Sequence, residues 1–142
     1  MRTLHVGLRV ADLERSLTFY TAVGYEVIGN VPKTEFGSLT MLKLPGDEFV
    51  TVELVHDPRR GTVGPGGLNH MVIQVESMQA TVAQLTGRGI EVEAPASPDG
   101  SGDFWTAWVA DPDGYRIELV QWPAGHPEGM SEADFRGQVD GE

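Results

Sequence analysis

Hydrophobic and polar residues alternate along residues 4–10: Leu4, Val6, Leu8 and Val10 fall on one face, His5, Gly7 and Arg9 on the other. That two-residue period predicts a half-buried strand. Asp12 then stands where a helix cap is wanted, ahead of Leu13, Leu17, Tyr20 and Val23 at helical spacing, and Gly24 closes the helix. Residues 25–28, 34–44 and 49–55 read as three further strands, the last two joined by the turn residues Pro45, Gly46, Asp47 and Glu48. The same order then returns. Residues 70–75 alternate as a strand, Ser77 caps a helix through Met78, Val82 and Leu85, and Gly87 and Gly89 break it. Strands follow over 90–93, 104–110 and 115–122, the last two around the turn Asp111, Pro112, Asp113 and Gly114. Each half therefore reads β-α-β-β-β, an α+β pattern.

The repetition is visible in residue identity as well. Displaced by 65 positions, His5 falls on His70, Val10 on Val75, Gly24 on Gly89, Glu26 and Val27 on Glu91 and Val92, and Gly37 on Gly102. Glu53, Leu54 and Val55 fall on Glu118, Leu119 and Val120, with no gap needed between. Such a register argues for an internal duplication. It divides residues 1–122, a single domain, into modules 1–56 and 69–122 with a Gly/Pro-rich linker at 57–68. Loops 30–36 and 95–103 hold matching places. Residues 123–142 form an acidic tail with at most a short helix near 131–139.

Composition narrows the functions open to such a chain. Its 142 residues suit one domain, and each half alone would be a marginal fold. A net charge of −11 makes nucleic acid and anionic membranes poor partners, since both demand Lys/Arg clusters. No stretch approaches the roughly 20 apolar residues that span a bilayer. The absence of cysteine excludes disulfides, thiolate metal sites and a cysteine nucleophile. With no signal-like segment before the first strand, the cytoplasm is the expected location.

Strand parity places His5 and Glu53 on the face turned away from the first helix, and His70 and Glu118 on the matching face of the second module. Glu53 and Glu118 each interrupt an apolar strand, where a carboxylate is costly unless it is paired or ligates a metal. A lone His or Glu in a strand is ordinarily a rim residue; four in register through a duplication are not so easily dismissed. Two imidazoles and two carboxylates suit nickel, zinc, cobalt, manganese or iron, with positions left for water or substrate. His56 and His126 lack a repeat partner and read as surface residues. Two facing sheets would form a groove lined by all four candidate ligands. Phe36, Phe104, Trp105 and Trp108 flank that groove.

The run HVGLRVADLERSLTFY from His5 to Tyr20, VELV around Glu53, NHMV at His70 and DPDGYRIEL from Asp111 to Leu119 resemble the vicinal oxygen chelate superfamily. Within it they look closest to bacterial glyoxalase I, the lactoylglutathione lyases. The resemblance covers residues 1–122. It implies the glyoxalase/bleomycin resistance/dioxygenase fold, two tandem βαβββ modules forming a metal-lined groove. It also implies a homodimer with the site often at the subunit interface, and one divalent ion (nickel, zinc or cobalt) held by His5, Glu53, His70 and Glu118. The reaction implied is conversion of the hemithioacetal of a 2-oxoaldehyde and a thiol through an enediolate, with Glu118 as base, Glu53 as its partner, and Arg9 and Asp57 toward the substrate.

Two departures bear on the thiol. Asp57 stands where the family pattern has Asn, and loop 95–103 contains no Lys or Arg where a basic residue would meet a glutathione carboxylate. Arg59 and Arg60 are the nearest basic residues, and a surface pair of that kind is ordinarily solvated. Two other functions compete with the lyase. An extradiol-type dioxygenase needs two His and one carboxylate, so a fourth ligand counts against it. A non-catalytic drug-binding protein of the bleomycin-resistance kind needs no ligand set at all.

Overall fold

The computed structural model describes residues 1–64 and 66–136, and it places two sheets and two helices in the order the pattern predicts. The first module comprises β1 (Val6–Arg9), α1 (Leu13–Val23), β2 (Glu26–Thr34), β3 (Gly37–Lys43) and β4 (Val52–His56). The second comprises β5 (Met71–Gln74), α2 (Met78–Gly87), β6 (Trp105–Ala110) and β7 (Arg116–Gln121). Both helices begin as their caps dictate: Asp12 accepts the Arg15 N–H at 3.0 Å and Ser77 the Ala80 N–H at 3.1 Å. Gly24 ends α1 at φ 129°, a conformation that a side chain would strain. No helix among the described residues is long and apolar enough to cross a membrane.

Sheet one runs β1-β4-β3-β2 and sheet two β5-β7-β6. Val6 pairs with Val52 and Gly7 with Glu53; 65 residues on, Met71 pairs with Ile117 and Val72 with Glu118. The parallel register therefore survives the duplication intact. The antiparallel partner does not. Met41 lies opposite Glu53, but Trp108 lies opposite Glu118. The second hairpin is thus two residues shorter, and the alignment of Gly37 with Gly102 has no structural counterpart. A shorter turn before β7 is offset by a longer approach to β6.

Several boundaries correct the sequence pattern. The expected strand at 90–93 does not form: the segment runs extended beside β6, tied by Glu93 N–H to Trp108 O at 3.0 Å and by a bridge between Ala96 and Thr106. Pro95, which has no N–H to donate, interrupts the ladder between those two ties. β2 runs on to Thr34, so most of the expected loop 30–36 is strand, and β3 starts only at Gly37. A Cβ on Gly37 would sit 2.3 Å from the His56 carbonyl oxygen, so glycine lets the hairpin close onto the end of β4. The fourth strand begins at Val52, leaving Phe49 exposed in the preceding turn. In the tail, Ser131 caps a short 3-10 turn over Glu132–Phe135; residues 137–142, which the expected tail helix would enter, lie outside the described residues, as does Pro65 of the linker.

The core is formed by the helix-facing sides of both sheets, including Leu8, Leu42, Val52, Leu54, Ile73, Val109, Ile117 and Leu119, with Tyr20 of α1 and Leu85 of α2. The turn after β6 fastens the modules together. The Tyr20 hydroxyl donates to Asp111 Oδ2 at 2.7 Å, and Asp111 Oδ1 accepts the N–H groups of Asp113 and Tyr115, both at 2.9 Å. Asp113 in turn accepts the Ala11 N–H, and the Tyr115 hydroxyl donates to the Arg9 carbonyl at 2.9 Å. Burial pushes the Asp111 carboxyl above the usual carboxylate range and, with the neighbouring Asp111 charge, drives the Tyr20 phenol far above its ordinary value.

Candidate metal centre

His5 and His70 each sit one residue ahead of a strand rather than inside it, since β1 begins at Val6 and β5 at Met71. Each nevertheless shares a face with a carboxylate carried by the central strand of its sheet. His5 Nε2 lies 3.1 Å from Glu53 Oε2, and His70 Nε2 lies 3.9 Å from Glu118 Oε1. The carboxylates are the more sheltered members, at 17% and 23% side-chain exposure against 37% and 34% for the imidazoles. This follows from position: β4 and β7 are flanked by strands on both sides, whereas the histidines stand at the ends of edge strands.

Each pair thus matches its expected partner, but the two pairs do not converge. Among the described residues no group of three or more His, Cys, Asp or Glu side chains comes together to hold a metal ion. The four candidate ligands therefore do not gather into one cluster within the chain, among the described residues. What the chain displays is two His–Glu pairs, each one imidazole and one carboxylate, on two sheets.

The surroundings differ more than the two His–Glu pairs themselves. Beside Glu53 stand Gly7 and Met41; beside Glu118 stand Val72 and Trp108. The Trp108 indole meets the His70 ring edge-on, with centroids 5.1 Å apart at 76°, and carries the Arg116 guanidinium 4.2 Å from its ring centre. His70 Nδ1 is 2.6 Å from Asn69 Oδ1. Of the four aromatics expected along the groove, Trp108 is the one that meets a histidine of the two pairs among the described residues. Trp105 packs against the core and donates to Gly102 O, Phe104 stacks on Trp122, and Phe36 is exposed at the β2–β3 turn. Asn69 escaped notice in the sequence because a polar residue before a strand is ordinary; only its pairing with His70 distinguishes it.

Arg9 lies on the face that carries His5 and Glu53, two positions beyond Gly7, and its Nη1 is buried with no hydrogen-bond partner among the described residues. It borders a cavity of about 480 Å³ together with Arg60, Thr62, Gly64 and Gly66 of the linker. Asp57 is engaged already. Arg59 grips it through Nε to Oδ1 and Nη2 to Oδ2, both at 3.0 Å, and the hydrogen bonds from Arg59 hold the Asp57 carboxyl down at about 2. Arg59 stays on the surface, as the sequence suggested, but it is paired with Asp57 rather than free. His126, expected at the surface, is instead partly covered: it stacks on Trp122 with centroids 4.4 Å apart and pairs with Asp134.

Comparison with known proteins agrees with this architecture. The family model described as the Glyoxalase/Bleomycin resistance protein/Dioxygenase superfamily matches residues 2–119. A probable lactoylglutathione lyase of Vibrio parahaemolyticus is 34% identical over 124 residues, 84% of this chain and 90% of that protein. The lactoylglutathione lyase of Salmonella typhimurium is 33% identical over 125 residues, 85% of this chain and 93% of that one. Among solved structures, the trypanothione-dependent glyoxalase I of Leishmania major superposes with a TM-score of 0.72 at 28% identity, covering 99% of each chain. A glyoxalase I of Zea mays gives 0.74 at 26% identity, covering 86% of this chain and 45% of that one.

Proposed function

We propose a glyoxalase I-like lyase, on the premise that the chain belongs to the Glyoxalase/Bleomycin resistance protein/Dioxygenase superfamily. The carrying observation is the matched pair of half-sites, His5 with Glu53 and His70 with Glu118, at equivalent positions of two sheets. Two neutral imidazoles and two carboxylates are a fitting donor set for one divalent ion, nickel, zinc or cobalt. Because the halves do not meet within one chain, the reading calls for a homodimer in which one copy's His5 and Glu53 face the other's His70 and Glu118.

The substrate is the hemithioacetal of a 2-oxoaldehyde and a thiol. When bound, the ion would polarise two adjacent substrate oxygens and stabilise an enediolate. The rest falls to the chain. Glu118 removes the proton from the carbon bearing sulfur and returns it to the neighbouring carbon, so that no atom is gained or lost overall. Glu53 holds the opposite side, while Met41 and Trp108, flanking the two carboxylates, keep water from the reacting carbons. Arg9 offers its unpartnered Nη1 to an anionic group of the thiol, and Asp57 acts through the Arg59 it holds.

The thiol need not be glutathione. With Arg59 committed to Asp57 and no basic residue in loop 95–103, Arg9 and Arg60 at the cavity beside Gly7 are the cations left to meet an anionic thiol. The Leishmania protein, named for its dependence on trypanothione, is a relative whose thiol differs. Reconstitution separately with nickel, cobalt and zinc, then assay with methylglyoxal plus glutathione and plus other cellular thiols, tests the reading. One ion per half-site pair and turnover with at least one thiol are expected. Purified protein that takes up no stoichiometric divalent ion would sink it.

A further inference from the structure

We propose that Asn69 is a positioning residue that fixes which nitrogen of His70 faces the metal, an assignment that rests on the metal reading above. Asn69 Oδ1 lies 2.6 Å from His70 Nδ1. A carbonyl oxygen only accepts, so Nδ1 carries the proton and Nε2 keeps its lone pair. That lone pair stays available: Nε2 is 3.9 Å from Glu118 Oε1, beyond hydrogen-bonding distance. Ligating histidines are commonly held this way, by a second partner on the nitrogen turned from the metal.

A second contact fixes the plane of the ring. Trp108 meets His70 edge-on, Arg116 lies over Trp108, and Arg116 Nη2 is 3.5 Å from Glu93. The bracket is peculiar to the second half. The residue before His5 is Leu4, which has no acceptor to offer, and the carboxylate Oε2 of Glu53 lies 3.1 Å from His5 Nε2. A carboxylate also only accepts, so the proton of His5 is on Nε2. The two half-sites therefore hold their imidazoles in opposite tautomers, and only His70 is preset for ligation. Asn69 itself is exposed and contributes nothing to the core, so replacing it leaves the fold standing.

The tautomer can be read without any metal, from the ring-nitrogen resonances of ¹⁵N-labelled protein at a pH above the histidine range. Wild-type His70 should carry its proton on Nδ1, Asn69→Ala should move most of the population to Nε2, and Asn69→Asp should restore the wild-type form. Nickel or cobalt titration followed by quenching of tryptophan fluorescence supplies the second readout, with Trp108→Phe identifying the reporter. Affinity should fall about 10- to 100-fold in Asn69→Ala and return in Asn69→Asp. A His70 tautomer or a metal affinity unmoved by Asn69→Ala overturns the assignment while leaving the metal centre intact. Failure of the wild-type chain to bind either ion strikes the metal reading itself, and this role with it.

Discussion

The two halves of the chain hold the same His–Glu pair in the same parallel register, yet almost nothing around those pairs is the same. In the first half the carboxylate lies between Gly7 and Met41 and bonds its own histidine; in the second it lies between Val72 and Trp108, and the histidine turns to Asn69. The duplication has kept what fixes backbone position, namely the pairing of the first strand with the last. Divergence has gone into the hairpin that delivers the opposite neighbour, where a two-residue change in turn length moves a different side chain beside the carboxylate. One carboxylate is thereby set beside a methionine and the other beside a tryptophan, while both stay similarly sheltered, a difference in neighbours that suits the unequal tasks proposed for them.

The largest expected effect follows from that inequality. Glu118→Gln removes the proposed base while preserving shape, and kcat should fall by about 10²- to 10⁴-fold. Glu53→Gln should be milder, because its role in proton transfer is secondary. Both variants need a metal analysis beside the kinetics, so that loss of ligation is separated from loss of the base. Equal losses in the two variants would erase the functional distinction between the halves.

The pairing of each His with its Glu and most of the element order were legible in the sequence, because strand period and the 65-residue repeat are both written in local pattern. The cooperation of the halves was not. Nothing local says that Tyr20 donates to Asp111, or that the turn DPDGY docks onto α1 rather than merely reversing the chain. The missing strand at 90–93 was misread because its hydrophobic alternation is sound; the break comes from Pro95, whose effect depends on which strand lies alongside. The separation of the two pairs could not be read from parity, which reports a face and not which faces meet; only the family resemblance pointed to a subunit interface.

The turns that precede β4 and β7 allow a second contrast, in stability. Asp111 is 5% exposed and satisfies a buried hydroxyl and two backbone N–H groups. Asp47, in the first half, accepts from Leu44 N–H at 2.9 Å and the Thr51 hydroxyl at 2.8 Å, but is only part-buried. Asp111→Ala should cost about 3 kcal/mol in chemical denaturation, because it strands donors that water cannot reach. Asp47→Ala should cost about 1 kcal/mol, since its orphaned donors can turn to solvent. Similar losses would mean that Asp111 does not join the modules as its geometry implies.

The smallest effect concerns how each half ends. The first closes on Asp57 and Arg59; with the Asp57 carboxyl held at about 2, that pair contributes stability above the ordinary carboxylate range and loses it only as pH falls through about 2. The second closes on the tail, where His126 stacks on Trp122 and Trp122 on Phe104. His126 faces the Asp134 carboxylate through Nε2 and the Pro127 carbonyl through Nδ1, so its pKa is raised, chiefly by Asp134. Asp134 is shifted downward by the Ser131 N–H and by His126. A raised histidine stabilises fully below its unfolded value and loses that contribution as pH rises through the folded one; a lowered carboxylate fails only in acid. The tail should therefore be held best in mildly acidic solution and loosen above neutrality, while the Asp57–Arg59 closure stays unchanged. Exchange protection of the Trp122 indole N–H, which donates to Glu128 O, followed from about pH 5 to about pH 9 across the histidine range, reads this directly. Asp134→Asn should flatten the profile, and a wild-type profile already flat would show that the ion pair does not hold the tail.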